Sequence, residues 1–75
     1  MIAYLLIALN EGDERKISDK LSSFEEVKES YILFGEWDVL AKLEIANAEE
    51  LGNFVMQKVR PLKGIRITST LIAAK

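Results

Sequence analysis

The chain has 75 residues, a formal net charge of −2, and neither cysteine nor histidine. This length suits one domain, and a domain so small usually needs a disulfide, a metal or a partner subunit for stability. Without cysteine, disulfides, thiolate metal sites and cysteine nucleophiles are excluded. Without histidine, the commonest metal ligand and proton-transfer group is missing. We therefore expect one domain over residues 1–75, stabilised by self-association, with no cofactor and no metal.

The distribution of charge and apolar residues bears on nucleic acids and membranes. No basic cluster exceeds the pair Arg15-Lys16, whereas nucleic-acid binding normally needs a basic face. The apolar start, Ile2 to Leu9, is too short to span a bilayer and lacks the basic segment and cleavage site of a signal peptide. We expect a cytoplasmic chain without direct nucleic-acid contact and without membrane contact.

The first half of the chain predicts a strand, a helix and two further strands. Ile2 to Leu9 is a continuous apolar run that indicates a buried strand, and Asn10 to Asp13 are turn residues. Asp13 is suited to cap a helix. That helix carries one apolar stripe at helical spacing: Ile17, Leu21 and Phe24.

The two strands that follow are predicted over Val27 to Phe34 and over Trp37 to Ala46. The later strand alternates with a period of two, so that one face is apolar and the other mainly charged. The apolar face comprises Trp37, Val39, Ala41, Leu43 and Ile45. Leu40 interrupts the polar face.

The last third of the chain predicts a helix and a final strand. Asn47 and Glu50 form a capping-box pattern at the helix start, and Pro61 with Gly64 ends the helix. Its apolar side comprises Leu51, Phe54, Val55, Val59 and Leu62. The final strand is predicted over Ile65 to Ala74, which is rich in β-branched residues.

The resulting order, β-α-β-β-α-β, is the ferredoxin-like arrangement of the α+β class. Two helices cover one face of a four-stranded antiparallel sheet, and the other face is left bare. The first strand is apolar on both sides, although a sheet with one solvated face should alternate. An apolar surface of this kind indicates an interface, so we expect a homodimer formed through the bare faces.

The segment Gly35-Glu36-Trp37-Asp38 lies between the second and third predicted strands. Glycine allows a sharp turn or a close backbone approach, and Asp38 supplies a fixed negative charge. Together they are suited to hold a zwitterion, with amide groups for its carboxylate and Asp38 for its ammonium. The alternative is that this is a hairpin turn alone, because Gly and Asp are common turn residues.

Four segments together resemble the C-terminal effector (RAM) domain of the Lrp/AsnC family of transcriptional regulators. They are Gly35-Glu36-Trp37-Asp38-Val39-Leu40, residues 47–54, Pro61-Leu62-Lys63-Gly64-Ile65, and Thr68-Ser69-Thr70-Leu71-Ile72. The resemblance covers essentially the whole chain. The family's N-terminal helix-turn-helix domain has no counterpart in it, so the resemblance implies a stand-alone effector domain without DNA binding.

The resemblance implies that the domain dimerises through its sheet and assembles further, commonly into octamers. It also implies an amino-acid or related metabolite ligand at the contact between dimers, between the turn of one subunit and the last strand of a neighbour. Carried over to this chain, the turn side comprises Gly35, Glu36, Trp37 and Asp38. The strand side comprises Thr68 and Thr70, with Tyr31 and Leu33 as further wall residues. Such a module would regulate transcription or amino-acid metabolism through ligand-linked assembly.

Several alternatives stay open from the sequence. Asp38 is equally suited to tighten the turn, Trp37 suits a core or dimer interface, and Thr68 and Thr70 suit a strand for their propensity alone. A small ferredoxin-like enzyme resembling antibiotic-biosynthesis monooxygenases shares the element order. No nucleophile-base set or carboxylate pair stands out by its spacing, so we expect no enzyme. A third hypothesis is that the chain is a structural assembly partner of full-length regulators of the family.

Overall fold

A computed structural model describes residues 1–74 and shows a four-stranded sheet with helices on one face. Its elements are β1 (Ile2–Leu9), α1 (Glu14–Ser22), β2 (Val27–Ile32), β3 (Val39–Glu44), α2 (Ala48–Phe54), a π-helical segment (Val55–Val59) and β4 (Ile65–Ile72). The strands lie in the order β2-β3-β1-β4, and all neighbours are antiparallel. The predicted β-α-β-β-α-β arrangement is confirmed.

The core lies between the helices and one face of the sheet. Alternate residues of the central strands face it, and Leu5, Ile7, Val39 and Leu43 have no exposed surface. The helices complete the core with Ile17, Leu21, Leu51, Phe54 and Val59. Burying such side chains stabilises a domain by about 1.5–3 kcal/mol each before conformational entropy is counted.

Both predicted helix caps are present. The Asp13 side chain accepts hydrogen bonds from the backbone amides of Arg15 and Lys16, and Asn47 accepts one from Glu50. Each cap satisfies amides that a helix start would otherwise leave without partners. The helix that follows Asn47 continues into the π-helical segment, where the Arg60 amide donates to Val55 O at 2.9 Å.

Several predicted boundaries are too long. β2 ends at Ile32 rather than Phe34, β3 runs over Val39–Glu44, and β4 ends at Ile72. The first helix ends at Ser22, so Phe24 lies in the turn after it. The Phe24 ring packs edge-on against the ring of Phe54 in α2, with their centroids 5.7 Å apart. Phe24 therefore connects the two helices, although it lies outside both of them.

The face of the sheet opposite the helices, here called the helix-free face, is apolar in its middle. The strand registers place on it Ile2, Tyr4, Leu6, Tyr31, Leu40, Ile67 and Leu71. Tyr31, Ile67 and Leu71 are each about half exposed. At the edge of this face, Lys42 Nζ lies 3.4 Å from Glu29 Oε2.

Within residues 1–74, no helix is long and apolar enough to cross a membrane.

Candidate functional site

The loop between β2 and β3, residues 33–38, is closed by a backbone hydrogen bond from Leu33 N to Asp38 O at 2.9 Å. Gly35 has φ of +143°, a conformation that residues with a Cβ rarely adopt. An added Cβ would meet nothing within 4 Å, so the backbone angle, and not crowding, requires glycine here. The sequence-predicted turn is therefore a six-residue loop with glycine near its centre.

Asp38 ties this loop to the end of β1. Its Oδ2 accepts a hydrogen bond from the Leu9 amide at 2.7 Å, and its own amide donates to Ile7 O at 2.9 Å. The first bond is partly buried and charge-assisted, which makes it stronger than a neutral one. The structural role considered from the sequence is thus present, and ligand contact by Asp38 would use the other carboxylate oxygen.

The other residues of this loop are partly or fully exposed to solvent. Phe34 is fully exposed, Gly35 and Glu36 are exposed, and Trp37 is half-buried. Trp37 was predicted to open the apolar face of the third strand, which is wrong because β3 begins only at Val39. The loop thus offers an aromatic ring and a carboxylate to whatever lies next to it.

Tyr31 lies on the helix-free face, and Leu33 begins the β2–β3 loop. Tyr31 belongs to β2 and pairs with Leu40, while Leu33 follows the end of the strand. The Tyr31 hydroxyl donates to Glu29 Oε1, and this bond raises the pKa of Tyr31. It also lowers the pKa of Glu29, as does the neighbouring Lys42 ammonium.

Thr68 and Thr70 lie on the opposite side of the sheet, at its other edge. Thr68 pairs with Ile7 and Thr70 with Leu5, so both point to the helix side of β4. They line a cleft of about 390 Å³ between β4 and α2, here called the α2–β4 cleft. Its other lining residues are Ala48, Leu51, Gly52, Val55, Met56, Arg60 and Ile72.

One chain does not bring the two halves of the predicted site together. The loop follows β2 at one edge of the sheet and Thr68 and Thr70 occupy β4 at the other, about 14 Å away at strand spacings of about 4.8 Å. A site that uses both halves therefore needs two copies. The sequence analysis did not single out Gly52, Met56 and Arg60, which line this cleft. A glycine inside a predicted helix was the one available signal, because glycine is unfavourable there.

A larger groove of about 1090 Å³ lies at the loop between β1 and α1. Leu9, Ile17 and Leu62 are among its apolar lining residues, whereas Lys16, Lys20 and Lys63 alternate with Glu11, Asp13 and Asp19 on its polar side. The charges balance, so the groove favours neither an anion nor a cation.

Among the described residues, no acidic cluster of three or more is placed to hold a metal ion.

Comparison with known proteins identifies the domain. The family model of the Lrp/AsnC ligand binding domain matches residues 2–75. The chain belongs to the Lrp/AsnC family. Over 75 residues it is 32% identical to the HTH-type transcriptional regulator FL11 of Pyrococcus furiosus, in a match that covers all of this chain and 49% of FL11.

Solved structures share the fold of this domain. FFRP-DM1 superposes with a TM-score of 0.89 and 38% identity, and the match covers 96% of each chain. The regulator NMB0573 of Neisseria meningitidis, solved in complex with L-Met, shares the fold, with a TM-score of 0.87, 18% identity, and coverage of 99% of this chain and 49% of that one. This chain spans less than half the length of the curated relatives it matches.

Proposed function

We propose that this domain binds a small amino acid or related metabolite at a contact between copies, and that the ligand controls assembly. The observation that carries the proposal is the Lrp/AsnC ligand-binding family match over residues 2–75. Its two candidate half-sites lie at opposite edges of one sheet. The L-Met complex of NMB0573, which shares the fold, supports an amino-acid ligand.

Assembly begins, in this proposal, at the helix-free face. Tyr4 and Leu6 on β1 and Leu40 on β3 form its apolar centre, and Leu71 on β4 extends it toward the edge. Pairing two such faces would remove apolar surface that a lone chain leaves in water. The Lys42–Glu29 pair lies beside this centre, so its opposite charges would enter the interface together rather than singly.

The ligand site is proposed at a second contact, between dimers. The loop carrying Gly35, Glu36, Trp37 and Asp38 supplies amide groups and carboxylates from one copy. Thr68 and Thr70 of a neighbour supply hydroxyls, with Tyr31 and Leu33 as wall residues beside the loop. Residues from two copies hold one ligand, so ligand binding and assembly stabilise each other by linkage. An octamer would follow if four dimers close a ring.

The biological role follows from the relatives, which are named transcriptional regulators. A ligand-dependent assembly would act on transcription indirectly, either as its own oligomer or by mixing with longer regulators of the family. The proposal includes a cytoplasmic location and a binding rather than catalytic activity.

A second candidate is an assembly partner that works without a ligand. The Leu9–Asp38 bond favours it, because the carboxylate expected to meet a ligand ammonium already has one oxygen engaged within the chain. This candidate keeps the same contacts between copies and predicts no response to amino acids.

A thermal-shift screen against the twenty amino acids tests the proposal. A ligand at about 100 times its Kd stabilises the folded state by about 2.7 kcal/mol, which moves the Tm of so small a domain by several degrees. A selective rise in Tm that disappears in Asp38→Asn supports the amino-acid site. A flat screen at millimolar ligand contradicts it and favours the assembly partner.

A further inference from the structure

The groove at the loop between β1 and α1 is the larger of the two cavities, and the proposed amino-acid site does not use it. One wall is α1, the other is formed by residues 62–64, and the β1–α1 loop lies at one end. The Asn10 amide donates to Gly64 O at 2.9 Å, which joins the loop to the opposite wall. The two walls are therefore held together at this end of the groove.

Gly64 is required for this close approach. Its φ is +94°, and a Cβ added here would lie 3.0 Å from Glu11 O. Any side chain at this position would be strained and would push the loop away from the wall. The backbone thus fixes the shape of the groove at the β1–α1 loop.

The floor of the groove is apolar. Ile17 is buried beneath it, whereas Leu9 and Leu62 are partly buried and pack against the core. The two leucines leave apolar surface that an occupant can cover. Ligand sites typically combine such a floor with a small number of polar groups around it.

Charges of both signs line the rim of the groove. They are Lys16, Lys20, Lys63, Glu11, Asp13 and Asp19. Within residues 1–74, none of these six side chains takes part in an ion pair. Asp13 accepts from the amides at the start of α1, so Glu11 and Asp19 are the carboxylates available to an occupant. An occupant that carries both charges finds a partner for each, whereas a simple anion or cation also meets repulsion.

The length of the groove indicates the size of that occupant. The lining residues follow α1 from Asp13 to Ser23, which is about 15 Å at the helical rise of 1.5 Å per residue. The volume of about 1090 Å³ far exceeds what one amino acid fills. A free amino acid also carries its ammonium and carboxylate on the same carbon atom. An extended peptide, at about 3.3–3.6 Å per residue, spans the groove with four or five residues.

We propose that this groove binds a short peptide of about four residues with free termini. Its apolar side chains cover Leu9 and Leu62, and its termini pair with charges on the rim. The site goes beyond the proposed function, because none of its lining residues belongs to the β2–β3 loop or the α2–β4 cleft. One connection exists: Leu9 lines the groove, and its amide donates to Asp38 of the loop.

The four glycines of the chain locate a bound peptide. Gly12 and Gly64 line the groove. Gly35 lies in the β2–β3 loop, and Gly52 lies in the α2–β4 cleft. Protein labelled with nitrogen-15 at glycine is titrated with the tetrapeptide Ala-Leu-Leu-Ala and followed by NMR. Saturable shifts of the Gly12 and Gly64 amide signals are expected. Shifts confined to Gly35 and Gly52, or no shift at millimolar peptide, would overturn the proposal.

The termini and the length of the peptide provide a second readout by calorimetry. The same tetrapeptide, acetylated and amidated, lacks both terminal charges. It is expected to bind about tenfold more weakly or worse, because a hydrogen bond to a charged group contributes about 1.5–3 kcal/mol. The dipeptide Leu-Leu, which is too short to span the groove, is also expected to bind more weakly. Equal affinity of the blocked and free tetrapeptides would refute the pairing of the termini.

Charge reversal on the rim tests the location in the folded protein. The double variant Lys20→Glu with Lys63→Glu is expected to lose peptide binding. Lys28→Glu with Arg66→Glu makes the same change in net charge outside the groove and is expected to retain it. Retention in the first double variant, or loss in both, would overturn the site.

The peptide site and the proposed amino-acid site can fail separately. An amino acid that raises the Tm of the parent chain, without any binding of the tetrapeptide, would refute the peptide site and leave the proposed function standing. Peptide binding at Gly12 and Gly64, without any response to amino acids, would support the peptide site and refute the amino-acid ligand.

Discussion

The Asp38 carboxylate accepts a hydrogen bond from the Leu9 amide at 2.7 Å, which joins the start of β3 to the end of β1. The bond spans 29 positions in sequence and holds the β2–β3 loop against the central strand. The residue predicted to contact a ligand is therefore also a structural residue. Any test of its binding role must separate the two.

Asp38→Asn and Asp38→Ala separate the two roles of this side chain. Alanine leaves the partly buried Leu9 amide without its acceptor, so we expect a loss of about 1.5–3 kcal/mol in the free energy of unfolding. Asparagine keeps an acceptor oxygen and removes the charge, so its loss should be smaller. Urea unfolding at constant protein concentration gives both values. Equal losses in the two variants would contradict the structural role of the hydrogen bond.

Two glycine-to-alanine substitutions should change stability in opposite directions. Gly52→Ala should stabilise the chain by about 0.5–1 kcal/mol, because alanine is the better helix residue and the added Cβ has room. Gly35→Ala should destabilise it by about 1 kcal/mol or more, because φ at this position is +143°. Chemical denaturation of both variants below the concentration of assembly checks the pair. A destabilised Gly52→Ala would mean that glycine has a role within the single chain.

A charge in the centre of the helix-free face should prevent dimerisation. Leu6 lies on β1, between Leu40 and Ser69 in the register. Leu6→Glu would place a carboxylate without a partner inside the proposed interface, and we expect light scattering to report a monomer. Met56→Glu, on the helix side, should remain a dimer. Retention of the parent mass by Leu6→Glu would exclude dimerisation through this face.

The Glu26–Lys58 pair should contribute to the acid sensitivity of the fold. Lys58 Nζ lies 3.1 Å from Glu26 Oε2 and 5.6 Å from the centroid of Phe24. Desolvation raises the pKa of Glu26, but its backbone hydrogen bond and the bond from Lys58 outweigh this and hold that pKa below its ordinary value. The resulting stabilisation is present above the unfolded pKa of about 4.3 and disappears as the pH falls through the folded pKa.

Replacing the lysine tests this pH dependence. Lys58→Met keeps an apolar chain over the Phe24 ring and removes the charge, so its unfolding free energy should fall less steeply than the parent's as the pH drops below about 4.3. Glu25→Gln, an exposed change nearby, provides the control and should retain the parent slope. Parallel pH profiles for Lys58→Met and the parent would contradict a contribution from this pair.

Much of the fold was predictable because its signals are local. The continuous apolar run Ile2–Leu9, the caps Asp13 and Asn47, and the alternation of β3 each depend on neighbours within a few positions. Strand ends were less predictable. Leu33 and Phe34 continue the apolar run, yet the ladder stops at Ile32 because the backbone must turn toward Gly35.

The candidate site was less predictable, because it depends on which side chains of each strand point toward the helices and which point away from them. Period-two spacing places Thr68 and Thr70 on one face, and the structure confirms this. Both faces of β4 carry β-branched residues, so the spacing alone does not show that Thr68 and Thr70 face the helices. The cleft itself depends on the π-helical segment and Gly52, which the repeating pattern of a helix does not reveal.

Light-scattering mass at fixed protein concentration, measured with each of the twenty amino acids and without ligand, tests the central claim most directly. The account predicts that at least one amino acid raises the mass above that of the dimer, and that Asp38→Asn loses this response while remaining folded. The account would be contradicted by a mass that no amino acid changes, or by an amino acid that binds, by calorimetry, without changing the mass.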